Sequence, residues 1–283
     1  MNPTIQSALL KIYRRVGDMG ILSNGPGRWL FEATYLTYKS LEAGPVDRLA
    51  SYVTPGSWVI DVGANIGFFT RRFARWVGKS GGRVLAIEPE DHNLERLKYW
   101  LGRNHLGDRV EVLPVAAAER DGTLFLAINP HHPGDHHLAK SGVPVRVTTL
   151  DTLIRERDGP SVSLIKIDVQ GAEHRVLMGA TEILRRDHPA LFVEMDERRL
   201  QENGSSVIGV AAFLGTFGYS PFRMDRSGAA PVRDLATEAA CWRGRDSYGD
   251  ILFLPQTPDS SLSSGSSPAA CSFAVRESRP PNP

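Results

Sequence analysis

The stretch IDVGANIGFF, Ile60 to Phe69, places an acid, two glycines and an asparagine between two apolar runs. The run that enters it, WVIDV from Trp58, is rich in β-branched residues and reads as a buried strand. The run that leaves it, GFFTRRFARWV, reads as a helix. Glycine-rich strand-to-helix turns hold nucleotide-like ligands in α/β folds, and the glycine spacing decides which ligand. A dinucleotide turn needs G-x-G-x-x-G. Here Gly63-Ala64-Asn65-Ile66-Gly67 has no glycine at the middle position. A P-loop needs G-x-x-x-x-G-K-[ST], and neither Lys-Ser nor Lys-Thr follows Gly67. Asp61, at the strand end, would repel a pyrophosphate and attract a cationic amino-acid group.

Outward from this turn the sequence alternates in the manner of βαβ units. GRVLAIEP reads as a second strand, DHNLERLKYWLGRN as a helix opening on Asp91, and RVEVLPVAA as a third strand. An irregular stretch follows: GTLFLAI, NPHHPGDHHL and VPVRVTTLD read as a β-hairpin or a site loop inserted into the alternation. VSLIKIDV resumes the core as a strand, with a helix expected from about Ala172 to Arg186. ALFVEMD, SVIGVAAFLGTF and DILFLP then read as strand, helix and strand.

At the N-terminus Ile5, Leu9, Ile12 and Val16 step by four, three and four, the spacing of one helical face. With a second helix over Trp29 to Leu41, residues 1–50 are expected to form a helical lead-in, either a lid or a plain surface pair. Residues 51–255 form the α/β domain, and 256–283, dominated by Ser and Pro, are expected to be a disordered tail.

The 283 residues suffice for one large α/β domain. Lys+Arg number 33 and Asp+Glu 32, so the net charge of +1 supplies no overall basic excess for nucleic acid or a membrane surface. Two cysteines, Cys241 and Cys271, form no CxxC, which fits a reducing cytoplasm. No apolar run reaches the roughly 18 residues needed to span a bilayer. The expectation is a cytoplasmic protein without nucleic-acid or membrane partners; the oligomeric state is left open.

The pattern D-x-G-x-N-x-G matches the first motif of class I S-adenosylmethionine methyltransferases. Glu88 ends the second strand 21 residues after Gly67, where a ribose-binding acid belongs. DVGANIGFFT, AIEPEDHNLERL, GDHHL, VTTLD, LIKIDVQGAEHRVLMGA and PALFVEMD, in that order between Val59 and Asp196, resemble the FkbM-type methyltransferase family. The resemblance implies a Rossmann-like α/β fold with a mostly parallel seven-stranded sheet and helices on both faces. It implies S-adenosyl-L-methionine as cofactor, held by Asp61, Gly63, Ala64, Asn65, Gly67, Glu88, Pro89 and Ala116. It also implies O-methylation of a hydroxyl on a small molecule, sugar or secondary metabolite.

Methyl transfer requires the acceptor oxygen in line with the breaking bond and a group to take its proton. The strand LIKIDV places Lys166 and Asp168 on one face and Ile165, Ile167 and Val169 on the other. Asp168, at the carboxyl end where ligands bind, is the first choice as base. Glu194 and Asp196 end the neighbouring strand, and Glu173 opens the next helix, where an acid also suits the dipole. Lys166 reads either as a site residue or as a buried partner of Asp168 or Glu194. His131, His132, Asp135, His136 and His137 crowd one loop, and His136, within GDHHL, is the alternative base. No metal is expected, since ligands so adjacent rarely satisfy one geometry.

Two competing readings remain: an NAD(P)-dependent oxidoreductase, whose glycine pattern is missing, and a non-catalytic cofactor-binding protein. An amine methyltransferase acting on nucleic acid would carry [N/D]-P-P-[Y/F] after the fourth core strand, where this chain has DVQGAE.

Overall fold

A computed structural model describes residues 46–78, 81–128, 136–225, 227–242 and 248–256. The two lead-in helices, His131, His132, Asp135, Cys271 and the Ser/Pro tail from 257 onward lie outside the described residues. The chain opens with a 3-10 turn, Val46–Tyr52, and then alternates: β1 (Trp58–Val62), α1 (Thr70–Val77), β2 (Val84–Ile87), α2 (Asp91–Arg103), β3 (Val110–Leu113). Four strands come next, β4 (Ala116–Ala117), β5 (Gly122–Ala127), β6 (His137–Ala139) and β7 (Val143–Thr148). The alternation resumes with α3 (Leu150–Arg155), β8 (Val162–Ile167), α4 (Glu173–Met178), α5 (Thr181–Arg186), β9 (Ala190–Met195), α6 (Glu197–Glu202) and α7 (Val207–Gly215). It ends on β10 (Tyr219–Met224), β11 (Ala229–Pro231), α8 (Leu235–Cys241) and β12 (Gly249–Pro255).

The main sheet runs β11-β10-β12-β9-β8-β1-β2-β3. From β9 to β3 neighbouring strands are parallel, whereas β12 enters antiparallel to β9, and β10 and β11 continue antiparallel. Among the described residues the sheet has eight strands, one more than the seven that the family resemblance implies. The short β11 adds an eighth at the edge. Between β1 and β8 the chain reverses its direction of travel across the sheet. That reversal opens a crevice at the strands' carboxyl ends, the place where open α/β sheets bind ligands.

Strand alternation supplies two cores. Ile60, Val62, Ile165 and Ile167 pack with α3, α4, α5 and α7 on one face. Val59, Val84, Ala86 and Leu164 pack with Phe73 and Val77 of α1 and Leu97 of α2 on the other. Asp61 and Lys166 fall on the second face, directly paired in the β1–β8 register. Strand periodicity thus brings two charged residues under α1.

The run RVEVLPVAA is not one strand. It leaves the main sheet after Leu113, at Pro114, which has no N–H for a ladder, and Ala116–Ala117 joins a second sheet ordered β4-β7-β5-β6. The irregular insert is therefore a four-stranded sheet. The expected helix from Ala172 to Arg186 is two helices, broken at Gly179 and Ala180. A Cβ on Gly179 would lie 2.1 Å from the Ala118 carbonyl oxygen, so this break lets the helical layer approach the second sheet.

Gly63 holds the crevice at its closest approach. Its φ is +74°, and a Cβ there would lie 1.9 Å from the Asp168 carbonyl oxygen. The glycine clears room for the β8 backbone. Gly63→Ala is expected to destabilise the protein by about 2–4 kcal/mol, read as a lower midpoint in urea unfolding at unchanged m-value.

Candidate functional site

The β1–α1 turn spends its own amide hydrogens. Gly63 N and Ala64 N both donate to the Ile87 carbonyl at 3.0 Å, and Gly67 N donates to the Ala64 carbonyl. Asn65 N donates to Glu88 Oε2 at 2.8 Å, and Ile66 N donates to Asn65 Oδ1 at 2.7 Å. Asn65 has φ +51°, the left-handed region that asparagine tolerates better than most side chains. It therefore supplies the conformation a middle glycine would give, and its side chain caps the turn as well. All five amides from 63 to 67 have internal acceptors. A phosphate cradle needs such amides directed at the ligand.

Glu88 closes the other side of the turn. Its Oε1 accepts from Glu90 N at 3.1 Å and from Asn93 Nδ2 at 3.5 Å, while Oε2 takes the Asn65 amide. Burial pushes its carboxyl up to about 7 against the opposing pull of those hydrogen bonds. Each carboxylate oxygen has two lone-pair directions, so Oε1 is filled by its two donors and Oε2 keeps one direction for a further donor. Pro89 is half-buried beside it, and Ala64 is buried in the core. Ala116 sits in β4 opposite Val147 and packs within the second sheet's own small cluster.

Asp61 is fully buried and engaged inward. Thr70 Oγ1 donates to its Oδ2 at 2.5 Å, and Lys166 Nζ lies 3.6 Å from Oδ1. Burial raises its pKa, with Lys166 and Thr70 opposing. Its charge thus meets Lys166 first, and any effect on a cofactor's ammonium passes through that pair. Lys166 also donates to the Gly63 carbonyl at 3.1 Å, stands 3.4 Å from Asp168 Oδ2 and lies over the Phe69 ring at 5.0 Å. Of the partners considered for Lys166, the structure gives Asp168 and adds Asp61.

Asp168 is the more open acid, with 22% of its side chain exposed. Gln170 Nε2 donates both to its Oδ1 at 3.1 Å and to Glu194 Oε2 at 2.9 Å. Asp168 and Glu194 therefore come together at the ends of β8 and β9, joined by a residue that sequence reasoning passed over. The signal was faint: a polar side chain inside IDVQGAE just before a glycine. Asp196 instead caps α6, its Oδ1 accepting from Arg199 N.

Glu173 faces away from solvent. Its Oε1 accepts from Val169 N at 3.2 Å and Gly171 N at 3.0 Å, bracing the turn between β8 and α4. Its Oε2 is buried without a hydrogen-bond partner among the described residues, and burial pushes the carboxyl up to about 7. His136 Nε2 lies 4.0 Å from Oε2 of Glu90, the α2 cap. Among the described residues no group of three metal-ligating side chains converges, and no helix is long and apolar enough to cross a membrane.

A family model described as the methyltransferase FkbM domain matches residues 61–221. The 2-O-methyltransferase NoeI of Sinorhizobium fredii is 25% identical over 183 residues, covering 58% of this chain and 73% of that protein. Among solved structures, methyltransferase FkbM from Methylobacillus flagellatus is 21% identical with a TM-score of 0.48. That match covers 70% of this chain, which spans 43% of the other. An S-adenosylmethionine-dependent O-methyltransferase from Thermotoga maritima is 14% identical with a TM-score of 0.39, over 74% of this chain and 63% of that one.

Glu88 and Glu173 both titrate near 7 when folded, above the ordinary 4.5. The folded state then binds more protons than the unfolded one between these values. Stability from these groups is complete below about 4.5 and is lost as pH rises through 7. Glu173→Gln keeps a carbonyl acceptor for the two turn amides. It is expected to lessen the fall in unfolding free energy between pH 5 and 8 by of order 2 kcal/mol, measured by denaturant titration at each pH.

Proposed function

The chain belongs to the FkbM methyltransferase domain family, and from that premise we propose that it is an S-adenosylmethionine-dependent O-methyltransferase. Its acceptor is a hydroxyl of a small molecule, sugar or secondary metabolite. The observation that carries this reading is the pairing of Glu88 with a glycine turn whose amides are already spent, beside the β1–β8 reversal. A ligand seated there finds carboxylate acceptors for sugar hydroxyls and no phosphate cradle. Those residues fit S-adenosylmethionine and disfavour a dinucleotide. The relative's 2-O-methyltransferase description supports the choice of a hydroxyl acceptor.

When bound, the cofactor supplies an electrophilic methyl group on a sulfonium centre. The chain's contribution is placement and proton handling. Gly63, Asn65 and Gly67 shape the wall of the crevice, while Glu88 Oε2 would accept from a ribose hydroxyl and so fix the nucleoside end. Asp168, at the carboxyl end of β8 and more open than Asp61 and Glu88, takes the acceptor's proton as its oxygen attacks. Glu194 holds the acceptor from the adjacent strand. Lys166 steadies Asp168 and balances the buried charge of Asp61. Orienting the acceptor in a water-poor crevice accounts for most of the rate.

Calorimetry is expected to show S-adenosylmethionine and its demethylated product binding, with NAD(H) not binding; the reverse result would overturn the assignment. Glu88→Ala is expected to weaken cofactor affinity at least tenfold, about 1.4 kcal/mol. Because the ionised form accepts a hydroxyl best, wild-type affinity is expected to rise from pH 6 to 8 and level off above. Glu88→Gln should abolish that slope. Asp168→Asn is expected to lower the turnover of labelled methyl by about 10²–10⁴-fold while leaving cofactor affinity within a factor of two to three.

A further inference from the structure

We propose that Gln170 is a positioning residue for methyl transfer, its side-chain amide clamping the Asp168 and Glu194 carboxylates into one acceptor-facing pair. The proposal rests on the methyl-transfer reading of this site.

An amide nitrogen carries two hydrogens, and Gln170 Nε2 directs one to each acid, at 3.1 Å to Asp168 Oδ1 and 2.9 Å to Glu194 Oε2. The opposite orientation would set its carbonyl oxygen against two anions, so the chemistry of the partners assigns the donor. The acids end adjacent parallel strands, where like charges repel. Lys166 already serves Asp168 with a positive charge at 3.4 Å, and a second cation between the acids would weaken Asp168 further as a base. A glutamine engages one oxygen of each carboxylate and adds no charge, so both remain proton acceptors in a fixed relation.

The backbone argues in the same direction. Gln170 has φ +55°, a left-handed conformation that costs any L side chain and that glycine adopts with ease. Gly171 follows at +102°, with no room for a Cβ, which would lie 2.6 Å from the Arg199 carbonyl oxygen. The turn itself is held by Glu173, whose Oε1 accepts amides from Val169 and Gly171 on either side of Gln170. The backbone would be more relaxed with glycine at 170, and what glycine would forfeit is the amide that joins the two acids.

The charged groups facing this pair come from every neighbouring element. Lys166 of β8 lies 3.4 Å from Asp168, Asp61 of β1 reaches Lys166 from the other side, and Glu173 of α4 feels the Asp168 charge. Asp250 of β12 stands opposite Glu194 in the strand register, and Asp196, beyond Met195, pairs with Arg199. Several of these are negative, so loss of the Gln170 donors raises the repulsion within the pair, which Lys166 offsets on the Asp168 side and protonation relieves.

The test uses the full chain with Gln170→Gly and the near-isosteric Gln170→Met. Carboxyl-carbon NMR titration is expected to show the Asp168–Glu194 pair moving up by about one pH unit in both variants. Gln170→Gly should melt no lower than wild type. Calorimetric affinity for S-adenosylmethionine should be unchanged, while kcat for labelled-methyl transfer to a panel of monosaccharides and glycosides falls about tenfold, with the acid limb of its pH profile displaced upward. Gln170→Glu should lose activity as pH rises, since only its protonated form can donate. Unshifted titration in both Gln170→Gly and Gln170→Met would overturn the proposal, and so would wild-type turnover in both. Failure of the methyl-transfer reading has a separate signature, the wild-type protein failing to bind S-adenosylmethionine, and the NMR titration does not depend on it.

Discussion

The buried ammonium of Lys166 sits between Asp61 and Asp168 and donates to the Gly63 carbonyl, and the crevice depends on that contact. An isolated carboxylate as deeply enclosed as Asp61 would cost several kcal/mol to bury. Adjacent placement in the β1–β8 register makes the compensation geometric, because parallel neighbours put Asp61 and Lys166 on one face under α1. The same ammonium fastens the glycine turn to the end of β8 across the point where the chain reverses. Gly63 then permits the approach that the ion pairs demand, since any Cβ would strike the Asp168 carbonyl. Electrostatics and backbone shape specify the same juxtaposition.

Around this hub the acids divide into braces and those at the ends of β2, β8 and β9 that we propose as ligands. Asp61, Glu173 and Asp196 are engaged by Thr70, by turn amides and by the α6 N-terminus. Glu90 caps α2 and receives His136 from the second sheet. Glu88, Asp168 and Glu194 stand at the ends of β2, β8 and β9, with β1 between the first two. Burial is a poor guide to this division. Glu88 and Glu173 are both enclosed and both pushed up to about 7, yet one lies beside the glycine turn and the other beneath a loop.

The division also marks the limit of what the sequence makes legible. Acids at the ends of WVIDV, VLAI, LIKI and ALFVEM could be placed because a period of two and the βα alternation are local properties. Whether such an acid faces a ligand or a backbone amide depends on partners such as Lys166 for Asp61, more than a hundred residues away. β10 escaped because Pro221 interrupts YSPFRM, and the pairing that makes it a strand comes from β12, some thirty residues on. The second sheet read as irregular because its strands are short, and RVEVLPVAA hid the transition at Pro114 within one apolar run. Gln170 escaped for a different reason: an uncharged amide announces no chemistry until the two carboxylates it joins are seen together.

Asn65 shows how one substitution in a glycine pattern redirects a common turn. In a dinucleotide turn the middle glycine leaves backbone amides open to a pyrophosphate. Asparagine keeps the left-handed backbone, yet its Oδ1 takes the Ile66 amide and its own amide goes to Glu88. With Gly63 and Ala64 both donating to Ile87 and Gly67 to Ala64, the turn has become an acceptor-rich wall rather than a donor cradle. Such a wall offers a phosphate none of the five amide hydrogens it would need, and Asn65 contributes to that by taking the Ile66 amide with its side chain and sending its own amide to Glu88.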